Sequence, residues 1–328
     1  MPNLFTRLTG GRFAAPERKS VQLMALRDLG NPDWTRRSFA ALAQEGFARN
    51  PVVHRCVRLI AESANRVPLV AVEDGKRLAE HPLVKLLHRP NPHQSGSELL
   101  EAVYAYLQTA GNAYLQAAIA DGEVKGIFAL RPDRMRVVAG SDGWPAAYAY
   151  TSGGRTETLR QDRAPVASVR HLALFHPLDD HYGLAPLEAA QQSLDLHNAA
   201  AKWNKALLDN SARPSGALVY SAGTGQLTKD QFDRLKEELA GAFQGAANAG
   251  RPMVLEGGLD WKSIGISPRD MDFIEAKHAA AREIALAFGV PPMLLGIPGD
   301  NTYSNYQEAN RAFYRHTVLP LVSRTARD

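Results

Sequence analysis

The chain has 328 residues, of which 45% are hydrophobic and 22% are charged, a balance typical of globular proteins. Its formal charge of +4 permits contact with a polyanion but is too small to indicate a dedicated duplex-binding protein. The single cysteine, Cys56, excludes an internal disulfide and a cysteine-rich zinc site, and we expect neither a membrane-spanning segment nor a secretory signal.

The first part of the chain is predicted to be an arm followed by a helix. Residues 1–45 lack sustained hydrophobic periodicity, so we expect an extended or partly disordered arm. A helix is predicted to begin at Pro51 and to end before Pro68. Its apolar stripe comprises Val53, Val57, Ile60 and Ala64. Cys56 lies on this helix, where a buried structural thiol is expected.

Two further helices and a sheet are predicted next. The helices cover 81–92 and 95–112, the second with Ser97 as its N-cap and Gly111 near its C-terminal cap. Residues 113–130, 134–152 and 168–177 then show strand patterns, with a first hairpin at Asp121-Gly122, so a mostly antiparallel sheet is predicted over 113–177. The helices and the mostly antiparallel sheet together predict an α+β body.

Two long helices and a small insert follow the sheet. The first long helix is predicted to begin at Pro186 and the second at Pro268, and each is roughly 30 Å or a little longer. The inward stripe of the first is predicted to comprise Leu187, Ala190, Leu194, His197, Ala201 and Leu208. The segment between them, 216–266, has the order β-α-β-β, which describes a small α/β module carried on two helices.

The segment "GIPGDNTYSNYQEANRAF" (296–313) is a polar loop that leads into a helix. It has no nucleophile beside a base, no set of metal ligands and no phosphate-binding glycine pattern. Arg311 and Arg315 lie one turn apart on the helix, and Glu308 precedes Arg311 by three residues.

Two sites of chemistry or binding are possible elsewhere, and each has a simpler structural reading. His176, Asp179, Asp180 and His181 could bind a metal, but they also fit a polar turn between a strand and a helix. The basic side chains of the insert helix are interleaved with acids, which favours a solvated face over a nucleic-acid surface. Those basic residues are Lys229, Arg234 and Lys236.

Six segments of the chain closely resemble the portal proteins of tailed bacteriophages, and most closely the short portals of prophages and gene transfer agents of alphaproteobacteria. The resemblance covers nearly the whole chain from about residue 45. The segments are "HPLVKLLHRPNPHQSGSELLEAVYAYLQTAGNAYL" (81–115), "LRPDRMRVV" (130–138), "HPLDDHYGLAPLEAA" (176–190), "NSARPSGALVY" (210–220), "NAGRPMVLEGGLDWKSIGISPRDMDFIEAK" (248–277) and "FGVPPMLLGIPGDNTYSNYQEANRAFYRHTVLPLV" (288–322).

The resemblance implies a phage portal fold with named parts. After the arm at 1–45 come a wing (46–185), a first stem helix (186–213), a clip (214–267), a second stem helix (268–289) and a tunnel loop with a tunnel helix (290–328). Family members usually continue into a helical crown, so the resemblance implies that the crown is short, missing or removed. The DNA-facing tunnel-loop residues would be Pro298, Gly299, Asp300, Asn301, Thr302, Tyr303, Ser304 and Asn305.

The resemblance also implies the function and the partners. Family members form a dodecameric ring at one capsid vertex, a channel for DNA packaging and ejection, and bind terminase, a head-tail adaptor and the major capsid protein. Arg311 and Arg315 would support the tunnel loop, and Lys229, Arg234 and Lys236 would belong to the docking surface of the clip. We expect weak, non-specific contact with double-stranded DNA, no catalysis, no cofactor and no membrane, in a particle assembled in the bacterial cytoplasm.

Two other functions stay open on the sequence alone. One is a metal-dependent hydrolase built on the His176–His181 turn. The other is a general DNA-binding protein that uses the basic residues of the arm, with binding that weakens steeply as salt rises. Those basic residues are Arg7, Arg12, Arg18, Lys19, Arg36 and Arg37.

Overall fold

The computed structural model describes residues 34–78, 81–162, 166–209, 216–220, 228, 230, 233–234, 259–263, 273–298 and 303–327. The predictions for the arm before residue 34, for most of the insert and for residues 299–302 lie outside these ranges. Within them, helices and antiparallel strands are mixed, so the α+β fold predicted from the sequence is confirmed.

The N-terminal helices begin earlier than the sequence pattern predicted. A short helix, α1 (Phe39–Leu42), continues into a π-helical segment, Ala43–Ala48, where an extended arm was expected. The prediction of an arm reaching residue 45 is therefore wrong from Phe39 onward. This segment has few apolar side chains, but one of them, Leu42, is buried in the main core.

Helix α2 (Pro51–Asn65) confirms the predicted helix and its buried stripe. Asn50 caps it, since its side-chain oxygen accepts hydrogen bonds from the backbone N–H groups of Val52 and Val53 at 3.0 and 3.1 Å. Burial raises the pKa of the Cys56 thiol to about 12, as expected for a structural cysteine.

Two helices lead from α2 toward the sheet: α3 (Pro82–His88) and α4 (Gly96–Ala110). The N-cap of α4 is Ser95, not the predicted Ser97, because Ser95 and Glu98 form a reciprocal capping box. Gly111 ends the helix at φ 69°, as predicted. A Cβ there would lie 2.3 Å from the carbonyl oxygen of Gly183, so only glycine fits this position.

In the α+β body, the described strands form one hairpin and two three-stranded antiparallel sheets. The hairpin pairs β1 (Ala71–Glu73) with β2 (Lys76–Leu78). The first sheet has the order β4-β3-β8 and contains β3 (Asn112–Ala120), β4 (Glu123–Leu130) and β8 (Val169–Ala173). The second has the order β5-β6-β7 and contains β5 (Met135–Ala139), β6 (Pro145–Ser152) and β7 (Arg155–Arg160).

The long-helix region departs from the prediction at its start. A single helix was expected from Pro186, but α5 (Pro186–Ala189) is separated at Ala190 from α6 (Gln191–Asp209). Leu187, Leu194 and His197 are buried, as the predicted stripe required. The ends of the insert, β9 (Gly216–Tyr220) and β10 (Leu259–Ser263), pair antiparallel.

The second long helix, α7 (Phe273–Ala287), packs beside α6. Ser193 on α6 donates a 2.6 Å hydrogen bond to Glu283 on α7. Ile284 and Phe288 are buried in the main core together with residues of α2 and α4, so the two long helices are rooted in the α+β body.

The C-terminal part is one continuous helical run with a wide turn in its middle. Helix α8 (Tyr303–Phe313) passes into a π-helical segment, Tyr314–Val318, and then into α9 (Leu319–Arg327). Pro320 lies just after the wide turn. Because proline has no N–H and its ring crowds the carbonyl four residues earlier, the chain widens ahead of it.

Candidate functional site: the C-terminal loop and its helix

The polar loop predicted from the sequence is held in place at its start. Ile297 is buried just before it, and the carbonyl of Pro298 accepts a hydrogen bond from Arg282 on α7. Residues 299–302, half of the predicted DNA-facing set, lie outside the described residues. Tyr303 and Ser304 begin helix α8, and Asn305, the next residue, is exposed.

The helix behind the loop is fixed through its apolar face. Phe313 and Val318 are buried in the main core. The hydroxyl of Thr317 donates a 2.6 Å hydrogen bond to the carbonyl of Gly289, the residue that ends α7 at φ 66°. The support of the loop is therefore anchored to the end of the second long helix.

The two arginines singled out from the sequence are both exposed on this helix. Arg311 pairs with Glu308 at 2.7 Å, three residues earlier. An exposed pair of this kind contributes only about 0.3–0.5 kcal/mol, so the guanidinium can exchange this carboxylate for another anion at little cost. Arg315 lies within the π-helical segment, one turn further along.

The predicted docking residues of the insert are only partly described. Arg234 is exposed in a helical stretch, whereas Lys229 and Lys236 lie outside the described residues. In the predicted basic arm, Arg36 and Arg37 are exposed and the other four residues are outside the described ranges.

The His176–His181 turn is a hydrogen-bonded loop. The carboxylate of Asp179 accepts bonds from the backbone N–H groups of His181 and Tyr182, both at 2.8 Å. These bonds stabilise the ionised form and lower the pKa of Asp179. Among the residues that the structure describes, no group of three or more His, Cys, Asp or Glu side chains could hold a metal ion.

Two buried polar networks were not predicted from the sequence. In the first, Asn50 donates from its side-chain nitrogen to His197 Nδ1 at 3.0 Å and to Asn198 Oδ1 at 2.9 Å, which ties the start of α2 to α6. Burial, with a smaller effect of Lys277, lowers the pKa of His197. His197 had been placed on the inward stripe, but its partner is 147 residues away in sequence.

The second network joins the first sheet to the loop before α5. His171 Nε2 lies 2.9 Å from Asn112 Oδ1, which also accepts a 2.7 Å bond from the backbone N–H of Gly183. The imidazole stacks on Tyr114, with the ring centroids 4.3 Å apart. Burial, with a smaller effect of His181, lowers the pKa of His171 to about 4, so this ring is neutral at physiological pH.

These features define a mixed α+β protein in which an exposed polar helix, α8, is anchored to the core and to the end of the second long helix. No helix within the described ranges has the length and apolarity needed to cross a bilayer. The family model described as Phage portal protein matches residues 51–328. The chain therefore belongs to the phage portal protein family, and the recognition made from the sequence is confirmed.

Curated relatives agree with this assignment. The chain is 44% identical over 285 residues to an uncharacterized protein of Rickettsia bellii, covering 86% of this chain and 74% of that protein. It is 27% identical to the portal protein of Enterobacteria phage HK97, over 87% of this chain and 67% of the phage protein.

Solved structures are also similar. A chain from the neck of a native gene transfer agent particle, computed with C12 symmetry, is 53% identical and aligns with a TM-score of 0.67 over 90% of this chain and 80% of its own. An HK97-family phage portal protein from Corynebacterium diphtheriae is 18% identical with a TM-score of 0.60, over 90% of this chain and 89% of its own, which is a likeness of fold alone.

Proposed function

We propose that twelve copies of this chain form a ring at one vertex of a phage-like or gene-transfer-agent capsid, and that the ring is a channel for DNA. The observation that carries the proposal is the 53% identity to a chain in a particle neck computed with C12 symmetry. A closed ring of identical chains requires head-to-tail contacts that repeat around an axis.

The loop 298–305 is proposed to face the channel. A channel that passes DNA of any sequence cannot hold it by base edges, whereas contacts to phosphates are independent of sequence. The loop offers amide and hydroxyl groups with little charge, and Arg311 and Arg315 stand behind it on an anchored helix. Many weak contacts summed around a ring guide the polymer without trapping it.

The remaining parts take the roles that the resemblance assigns. We propose that the α+β body up to residue 185 is the wing, that α5–α6 and α7 are the stem, and that the insert between β9 and β10 is the clip. The terminase and the head-tail adaptor would bind the clip around Arg234 and its neighbours, and the major capsid protein would surround the ring. The protein would act as a structural conduit without catalysis of its own.

The ring is tested by electron microscopy and native mass spectrometry of the purified chain. We expect closed rings, with twelve copies as the main species. A chain that stayed monomeric up to high concentration, and that was absent from the particle vertex, would contradict the proposal.

The channel role is tested with Arg311→Ala and Arg315→Ala in a particle-producing strain. We expect normal ring assembly and a reduced amount of nuclease-protected DNA per particle. Arg58→Ala is a matched control, because Arg58 is also exposed and also pairs with an acid on its own helix, Glu62, at 2.5 Å. Packaging that is unchanged in both test variants would refute the role of this arginine pair.

A further inference from the structure

The loop between β8 and α5 presents two apolar side chains to solvent. Phe175 is 77% exposed and Leu178 is 90% exposed. We call this pair the apolar knob. Large apolar side chains this exposed and close together on one loop commonly mark a surface that binds another protein.

The knob is held in place by hydrogen bonds on both sides. His176 Nδ1 accepts a 3.0 Å bond from the backbone N–H of Leu178, and Asp179 caps the following turn. Tyr182 accepts a 2.9 Å bond at its hydroxyl oxygen from the backbone N–H of Val137 on β5. A preorganised loop loses little conformational entropy when it binds, so its apolar surface is well suited to docking.

A groove with an apolar lining lies on another part of the body, between the end of α2, helix α3 and the start of α4. Its volume is about 370 Å³. Its apolar lining residues are Val67, Pro68, Leu69, Val84, Leu87 and Leu100, and the polar side chains of its lining are Asn65, His88, Ser95 and Ser97. Val70 and Leu83, which adjoin two of these in sequence, are exposed, so the apolar surface extends beyond the groove itself.

The charges beside the two features are complementary. Asp180 is exposed directly after the knob. Arg66 and Arg89 are exposed directly after two residues that line the groove, Asn65 and His88. Two acids also adjoin the lining: Glu98, whose carboxylate is already occupied by the backbone N–H and hydroxyl of Ser95, and the half-buried Glu101.

We propose that the apolar knob of one subunit docks into the groove of the neighbouring copy, with Asp180 facing Arg89. This inference rests on the proposed ring. A cyclic assembly needs two different, complementary surfaces on every copy, and the knob and the groove differ in shape and in charge. Because Phe175 and Leu178 are exposed, a subunit does not fill its own groove, and both surfaces are available to neighbours.

The first experiment replaces the knob and measures assembly. Leu178→Asp is expected to raise the protein concentration at which half of the chains form rings by at least about tenfold, because a charge replaces a leucine that the proposed contact would bury. Trp144→Asp is the matched control, since Trp144 is 74% exposed in the β5–β6 turn and lies outside both surfaces. At a protein concentration low enough that all three proteins are monomeric, circular dichroism should give both variants the wild-type melting temperature.

The second experiment tests the pairing by exchanging charges. Asp180→Arg alone and Arg89→Asp alone should each weaken assembly, and the double variant should recover most of the wild-type behaviour, because every interface in the ring then contains the reversed pair. A photo-crosslinking amino acid at position 178 should join two copies of the chain, with the adduct mapped to residues 67–100.

The outcomes separate the two proposals. If the wild-type chain forms no ring, the proposed function fails. If it forms rings but Leu178→Asp assembles normally, or if the cross-link joins the knob to another particle protein or to a different region of the neighbouring copy, the ring stands and the knob-and-groove contact is refuted.

Discussion

The half-buried histidine of the first sheet, His171, should make the stability of the subunit depend on pH. The pKa of His171 is about 4 in the folded protein because the ring is buried, and about 6.5 in an unfolded chain. The unfolded state therefore binds more protons in the window between these values, and the free energy of unfolding falls as the pH falls.

The size of the effect follows from the two pKa values. Between pH 7 and pH 5, this one group should reduce the free energy of unfolding by about 2 kcal/mol. His171→Gln retains a donor for Asn112 but has nothing to titrate, so the variant should lose about 2 kcal/mol less than the wild type over the same interval. His197 shifts in the same direction and remains in both proteins, so it cancels in the comparison.

The assay is urea unfolding followed by circular dichroism at pH 7 and pH 5, with wild type and variant in parallel. His93→Gln, at an exposed position, is the control and should keep the wild-type dependence on pH. If His171→Gln showed the same loss of stability as the wild type, the imidazole would not be kept neutral by burial and the reasoning would be wrong.

Three further predictions follow from single residues. Gly111→Ala should destabilise the protein by about 3 kcal/mol or more, because a Cβ there meets backbone atoms. Gly122→Ala, with φ 75° and nothing within 4 Å of the added Cβ, should cost only about 1 kcal/mol. Equal urea-unfolding midpoints for the two variants would contradict this prediction. Asn50→Ala should lower the free energy of unfolding by about 2–4 kcal/mol, because it removes the cap of α2 and leaves the buried His197 without its hydrogen-bond partner. Asn50→Ser keeps the cap and should recover about 1 kcal/mol, as measured by urea unfolding. Equal stabilities of the two variants would disprove the capping role. Cys56 should resist a thiol reagent in the native state and react after unfolding; rapid native labelling would show that the thiol is accessible.

Local signals in the sequence predicted the elements that depend on local chemistry. The Asp121-Gly122 turn, the glycine cap at Gly111 and the stripe of α2 were all found where the pattern indicated. The cap of α4 was misplaced by two residues because Ser95 and Ser97 both lie at the start of the helical pattern, and only the spacing of Ser95 to Glu98 satisfies a capping box.

Features that depend on contacts between distant parts of the chain could not be predicted from the sequence. Strand β7 has one buried residue, Leu159, among exposed polar ones, so it lacks the alternation that marks a strand, and it forms because β6 offers an edge. The bond of His171 to Asn112 joins residues 59 apart, and no pattern in either segment specifies it. The family resemblance supplied the function, whereas the roles of the loop residues and of Arg311 and Arg315 stay predictions.

The wide turn at Tyr314–Val318 divides the C-terminal helix into two halves, and its geometry determines the rotation of one half relative to the other about the helix axis. The half after it is held by Leu321 and Val322 in the core, while the half before it is held there by Phe313 at its end and carries the exposed polar side chains ahead of that residue. Rewinding those five residues from π to α geometry, with no change of sequence, would swivel the front half by about a quarter turn relative to the rear half. If every subunit of a ring made this small local change, the exposed polar side chains of all the front halves would change direction together.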